Sequence, residues 1–144
     1  MIRKNLSIII FCALLLACNS KVANLRPHGS QTGVPELTRN NYLIGFLNEY
    51  RSSYDVSYYD INIDFDIEEK SIDGFVTIKA RSLNDIDTLQ VDLAKNLNIT
   101  KITHQNSSVD YSREEDAVMV VFNQTIDKDA LFDFTVHYNG IPQS

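Results

Sequence analysis

The sequence predicts an all-β protein, an antiparallel β-sandwich preceded by a short helix and a signal peptide. Three observations carry that expectation. Polar and apolar residues alternate at period two over most of the stretch from Tyr54 to Tyr138, the spacing of strands with one face in a core and the other in water. Polar turn clusters interrupt the alternation about every 8–12 residues, the rhythm of a sandwich. The stretch YDVSYYDINIDFDIEEKSIDGFVTIKA, residues 54–80, alternates, turns and alternates again, so it reads as one complete hairpin. No repeat of fixed period occurs, and one domain is enough for 144 residues.

The chain begins with a leader. Arg3 and Lys4 form a short positive region, and the apolar run from Leu6 to Ala17 is interrupted only by Ser7. That run falls short of the about 20 residues a bilayer span needs, so residues 1–17 read as a secretory signal peptide. Leu15-Leu16-Ala17-Cys18 resembles a bacterial lipobox. The resemblance implies a diacylglycerol on the Cys18 sulfur, cleavage after Ala17 and acylation of the new amine. Cysteine usage agrees: the other Cys, Cys12, lies inside the removable leader. The mature chain then has no disulfide to form, and lipidation removes the one free thiol from an oxidising compartment. Each buried CH₂ of an acyl chain contributes about 0.8 kcal/mol, so two or three chains anchor the protein to a lipid bilayer for practical purposes permanently. The expected location is the cell envelope, on the outer membrane and facing the periplasm or the cell surface.

Residues 18–36 are rich in Ser, Asn, Gln, Gly and Pro without periodicity and read as a flexible tether, in which His28 is simply solvated. A short helix is expected over 37–51. Thr38 is placed as its N-cap, and Leu37 and Tyr42 are placed to staple its first turn. Leu43, Phe46, Leu47 and Tyr50 follow the spacing of one helical face, expected to pack on the core, although Gly45 inside it costs roughly 1 kcal/mol against Ala.

The β-sandwich is expected over 52–144. Tyr59, Ile61, Ile63, Phe65 and Ile67 face one way and Asp60, Asn62, Asp64 and Asp66 the other, as in a half-buried strand. After the turn at Glu68–Ser71, Ile72, Gly74, Val76, Ile78 and Ala80 form the returning inner face. The outward Asp residues are then expected to oppose Lys79 and Arg81, each pair contributing about 0.2–1 kcal/mol. Leu89, Val91 and Leu93 alternate next. Leu97 and Ile99 lead to Ile102 with a slip at Thr100-Lys101 that reads as a bulge. Residues 108–113 form a short strand, residues 117–122 one apolar on both faces and hence buried on both. Phe132, Phe134, Val136 and Tyr138 form the last inward face.

Charge and motifs exclude several functions. Thirteen Lys and Arg against nineteen Asp and Glu give −6, and removing the leader with Arg3 and Lys4 leaves −8. Nucleic acid needs clustered basic groups and is not an expected partner. His28, His104 and His137 are far apart and lack metal-ligand spacing, H-E-x-x-H is missing, and neither a G-x-S-x-G elbow nor a Gly-rich phosphate loop occurs. The Asp residues of 60–66 lie on a strand face and do not converge as a glycosidase pair must. No catalytic, metal-binding or cofactor-binding residue is expected; Cys18, as the lipid attachment point, is the one candidate site residue.

Several stretches in one order carry a family resemblance. They are Tyr54-Asp55-Val56, Tyr59-Asp60-Ile61-Asn62-Ile63, Ile72-Asp73-Gly74-Phe75-Val76-Thr77-Ile78, Thr88-Leu89-Gln90-Val91-Asp92-Leu93, and Phe134-Thr135-Val136-His137-Tyr138-Asn139-Gly140. Together they resemble the N-terminal β-domain of the aminopeptidase N family of zinc metallopeptidases (gluzincins), nearest to lipoprotein members from Bacteroidetes-type bacteria. The resemblance covers residues 51–142. It implies a saddle-shaped sandwich flanking a thermolysin-like catalytic domain that binds zinc and removes N-terminal amino acids from peptides. The family's zinc ligands, its Gly-x-Met-Glu-Asn-type substrate loop and its anchor for the peptide amine have no counterpart here. The chain is therefore expected to be inactive alone, incomplete at its C-terminal end and truncated before the catalytic domain. Its expected role is a non-catalytic scaffold walling a substrate cleft, with the missing C-terminal peptidase domain as partner. The alternative is a stand-alone Ig-like surface lipoprotein binding a glycan or a protein, since sandwiches of unrelated function share this architecture.

Overall fold

The computed structural model describes residues 35–143. The signal peptide expected at 1–17, Cys12, Cys18, His28 and residues 18–34 of the expected tether lie outside the described residues. The helical segment differs from the single helix expected over 37–51. It forms two short helices, α1 (Arg39–Gly45) and α2 (Glu49–Ser52). Thr38 caps α1 as anticipated: its hydroxyl accepts from the Asn41 amide at 3.3 Å, while the Asn41 side chain accepts from the Thr38 amide at 2.8 Å. The interruption has two causes. Gly45 is a poor helix residue, and Asn48 caps a new start by accepting from the Arg51 amide at 3.0 Å. Phe46 between them is extended. The apolar face read from Leu43 to Tyr50 is accordingly broken: Leu43 is half-buried, but Phe46, Leu47 and Tyr50 are exposed, with Phe46 stacked on Tyr42 at 5.7 Å.

Eight strands follow: β1 (Tyr54–Asp66), β2 (Ser71–Ser82), β3 (Ile86–Asp92), β4 (Leu97–His104), β5 (Ser107–Ser108), β6 (Asp110–Glu114), β7 (Ala117–Ile126) and β8 (Leu131–Gly140). They make two antiparallel sheets, β1-β2-β8-β4-β5 and β3-β7-β6. The sandwich is as expected. The slip in β4 is a register shift between Ile99 and Lys101. The strand read at 108–113 is two strands in different sheets. The chain crosses from one sheet to the other at Val109, which is buried and whose amide donates to the Ile102 carbonyl at 3.0 Å.

The core lies between the sheets. Ile78 and Ala80 of β2, Ile102 of β4, and Phe132, Phe134, Val136 and Tyr138 of β8 meet Leu89 of β3 and Val118, Val120 and Phe122 of β7. Phe122 stands edge-on to both Phe132 and Phe134, with centroids 5.8 and 6.0 Å away, the T-shaped contact that aromatic quadrupoles favour. The inward face of β8 is thus covered by the second sheet. On the outer side of β7, Ala117 is buried and Met119 half-buried, but Val121 is exposed, so that strand is not fully enclosed.

The long hairpin departs furthest from expectation. β1 and β2 pair over Tyr54–Asp66 and Ser71–Ser82. Strands of 13 and 12 residues reach well past β3 and β6, which have 7 and 5. The face expected to be half-buried is exposed there, at 62% for Ile61, 73% for Phe65 and 88% for Ile67.

Candidate functional site

The titratable residues do not assemble a reaction centre. His104 ends β4 with Nδ1 2.6 Å from the Asp133 carbonyl and its ring edge-on to Phe122. His137 faces outward from β8 beside the Phe75 ring, and burial, assisted by Lys101, holds its pKa below the ordinary histidine value. Both side chains have packing roles. Next to His104 lies a shallow depression of about 390 Å³, lined by Gln105, Asn123, Thr125, Asp127 and Phe132 among others. Among the described residues no three His, Cys, Asp or Glu side chains converge as metal ligands, so they do not make a set that fits zinc.

Polar chemistry is concentrated where the helical segment docks on the smaller sheet. Gln90, in the middle of β3 and 3% exposed, donates to the Leu43 carbonyl at 3.1 Å and to Asp92 at 2.9 Å, and accepts from Asn48 at 2.7 Å. Arg51 pairs with Asp92 at 2.8 Å. Arg39 grips Glu114 with two hydrogen bonds of 2.7 and 3.0 Å, and Asn40 donates to Asp116 at 2.6 Å. These bonds hold the Glu114 and Asp116 carboxyls below their ordinary pKa values, the largest cause being Arg39 for one and Asn40 for the other. Burial pushes the Tyr54 hydroxyl up to about 12; it donates to the Gln90 carbonyl at 2.7 Å. Arg113, on the inward side of β6, donates to the Leu93, Leu97 and Glu115 carbonyls. Every one of these groups has a partner, as a structural network requires.

The surface left without partners is the far half of β1. β1 is an edge strand and pairs only with β2 among the described strands. Its inward side presents Tyr59, Ile61 and Phe65, all exposed, above half-buried Ile72 and Val76 of β2. Gly74, opposite Ile63, admits the close approach of β1 here, because a Cβ at that position would overlap the Asn62 carbonyl oxygen. The outward side is acidic and unbalanced. Register places Asp60 opposite Thr77, Asp66 opposite Ser71 and Asp64 opposite Asp73. Only Asp55 faces a cation, Arg81, at 3.9 Å, while Lys79 lies over the Tyr58 ring. Among the described residues none of the ion pairs expected between Asp60, Asp64 or Asp66 and Lys79 or Arg81 forms. The turn sets this register: Lys79 and Arg81 stand at the base of the hairpin, opposite Tyr58 and Asp55, and the three Asp residues lie nearer its tip. Alternation identified the two faces correctly; what it could not show is that the opposing sheet stops short.

No protein-family model and no curated protein matches the sequence. Solved structures do match its fold. An M1 zinc metallopeptidase mutant from Deinococcus radiodurans, bound to a Tyr-Ser-Ala substrate, aligns with a TM-score of 0.58 at 17% identity over 65% of this chain and 22% of that one. A two-domain M1 zinc metallopeptidase mutant bound to L-arginine gives 0.57, at 18% identity over 65% and 21%. Yeast LTA4 hydrolase gives 0.53, at 20% identity over 63% and 15%. The fold is that of the β-rich N-terminal domain of M1 peptidases. This chain spans about a fifth of the length of the Deinococcus protein.

Proposed function

We propose that this chain is the non-catalytic β-domain of a lipid-anchored, zinc aminopeptidase-like protein, walling a substrate cleft beside a peptidase domain. The observation that supports it most is the shared sandwich, which the M1 peptidases carry as about a fifth of their length. On this reading the chain supplies shape, and zinc, water activation and peptide hydrolysis belong to the peptidase domain. Cys18 carries the lipid, and the protein works at the cell envelope, on the outer membrane facing the periplasm or the surface. The 144 residues, assayed with and without added zinc, are expected to show no hydrolysis of aminoacyl substrates, and the gene to run in frame to an H-E-x-x-H motif. Chelator-sensitive aminopeptidase activity from these residues alone would overturn the proposal. Cys18→Ala is expected to abolish incorporation of labelled palmitate.

The second reading, a stand-alone Ig-like surface lipoprotein that binds a glycan or a protein, is favoured by one observation. The core around Phe134 is closed by the chain's own strands. A monodisperse monomer of residues 19–144 that unfolds cooperatively would support it.

A further inference from the structure

An edge strand exposes a row of unpaired amides and carbonyls, and folded proteins blunt such edges with Pro, inward charges, Lys or bulges. β1 has one bulge, next to Ser57, and from Tyr58 to Asp66 it contains no Pro and no Lys. Its exposed inward side is apolar and its outward side carries Asp60, Asp64 and Asp66, none of which is in an ion pair among the described residues. A strand laid along this edge would continue the sheet, and its side chains would alternate between the two faces. One set would cover Tyr59, Ile61 and Phe65, and the other would lie beside the Asp ladder.

Charge decides the occupant. A second copy pairing β1 to β1 would bring two Asp ladders onto one face, and like charges across a strand pair are unfavourable. Residues 1–144 do not provide a suitable strand either. Among its 13 Lys and Arg only Lys79 and Arg81 stand two positions apart, and both already lie in β2. We infer that the β1 edge is a docking site for an extended segment from outside residues 1–144, one that alternates basic with apolar residues and adds a sixth strand to the five-stranded sheet. The inference goes beyond the peptidase-scaffold reading and does not need it, because the test below involves no peptidase activity.

The test uses the full chain and a fluorescently labelled synthetic peptide that alternates Lys with Val. Two control peptides have Glu in place of Lys, or a central Pro at unchanged charge. The Lys–Val peptide is expected to bind and to slow amide exchange in β1 while leaving β5, the opposite edge, unchanged. The Glu and Pro peptides are expected not to bind. The double variant Asp60→Lys/Asp64→Lys, both sites being exposed, should weaken binding about tenfold or more, as reversal of two cross-strand attractions requires. Phe65→Ser provides a second variant that keeps every charge and should also weaken it. Equal binding of the Pro peptide would reduce the site to diffuse electrostatics and overturn the inference. So would protection at β5, indifference to both variants, or a salt-insensitive dimer of the chain joined through β1.

Discussion

The inner face of the five-stranded sheet is covered at its centre and bare along its β1 edge, although the sequence writes both strands alike. Around Phe134 in β8 the alternation Phe132, Phe134, Val136, Tyr138 is fully enclosed, Phe134 being 1% exposed. Along β1 the alternation Tyr59, Ile61, Ile63, Phe65 has the same period and comparable apolarity, yet faces solvent over most of its length. The difference lies in what stands opposite. β7 and β3 bring Val118, Val120 and Leu89 against β8, whereas no strand of the smaller sheet reaches the tip of the β1–β2 hairpin. A strand's pattern states which side seeks burial; the length of a distant strand decides whether burial happens.

The largest effect expected from breaking this comparison is at the covered centre. Phe134→Ala should destabilise the chain by about 3–5 kcal/mol through lost burial and the cavity left behind, whereas Phe65→Ala, a change of the same chemistry on the bare edge, should stay within about 0.5 kcal/mol. Denaturant unfolding of the two variants side by side measures the contrast, and equal losses would mean that the hairpin tip is covered in solution. An intermediate effect is expected where the helical segment covers the outer face of the smaller sheet. Gln90→Leu would leave the Leu43 carbonyl and the Asn48 amide without partners, and should cost about 1–3 kcal/mol. Thermal melting checks it, and an unchanged midpoint would show that water replaces the amide.

The smallest effect is electrostatic. Glu114 and Asp116 have folded pKa values below their unfolded ones. Their contribution is present above the unfolded values near 4 and is lost as pH falls through the folded values. Amide protection factors in α1 should therefore fall in acid below about pH 4, while those in β8 hold. Arg39→Gln should remove part of that pH dependence. A uniform response of both elements would show that the helical segment and the sandwich open as one unit.

Much of the fold was legible in the sequence because period-two alternation is imposed by strand geometry itself. The faces of β1, β2 and β8, the slip in β4 and the Thr38 cap all follow from local residue order. The losses share a cause in long-range pairing. Gly45 warned of a weak helix, but the second cap at Asn48 is recognisable only once Arg51 is seen turning back. The passage from one sheet to the other at Val109 leaves no mark in the alternation. Gln90 looks like an ordinary outward residue of β3 until the helical segment is laid over it. Arg113 reads as a surface cation, yet lies inward because three carbonyls near the end of the sandwich need a donor. The candidate interaction surface reads as half-buried for the same reason: Ile61 and Phe65 belong to a core in every respect except having a sheet above them.

The position of β8 has a consequence for the order in which this protein can be made. It is the last of the described strands in sequence and sits between β2 and β4 in the middle of the larger sheet. Until residues 131–140 have emerged, β2 and β4 have no common neighbour, and Ile78 and Ile102 have no Phe134 or Val136 beside them. Synthesis proceeds at about 5–20 residues per second, so the β1–β2 hairpin waits several seconds with both of its edges open. A nascent chain stopped after Asp129 should be protease-sensitive throughout, and one stopped after Ile141, once clear of the ribosome, resistant. A chaperone that shields a growing hairpin would have its window between those two lengths.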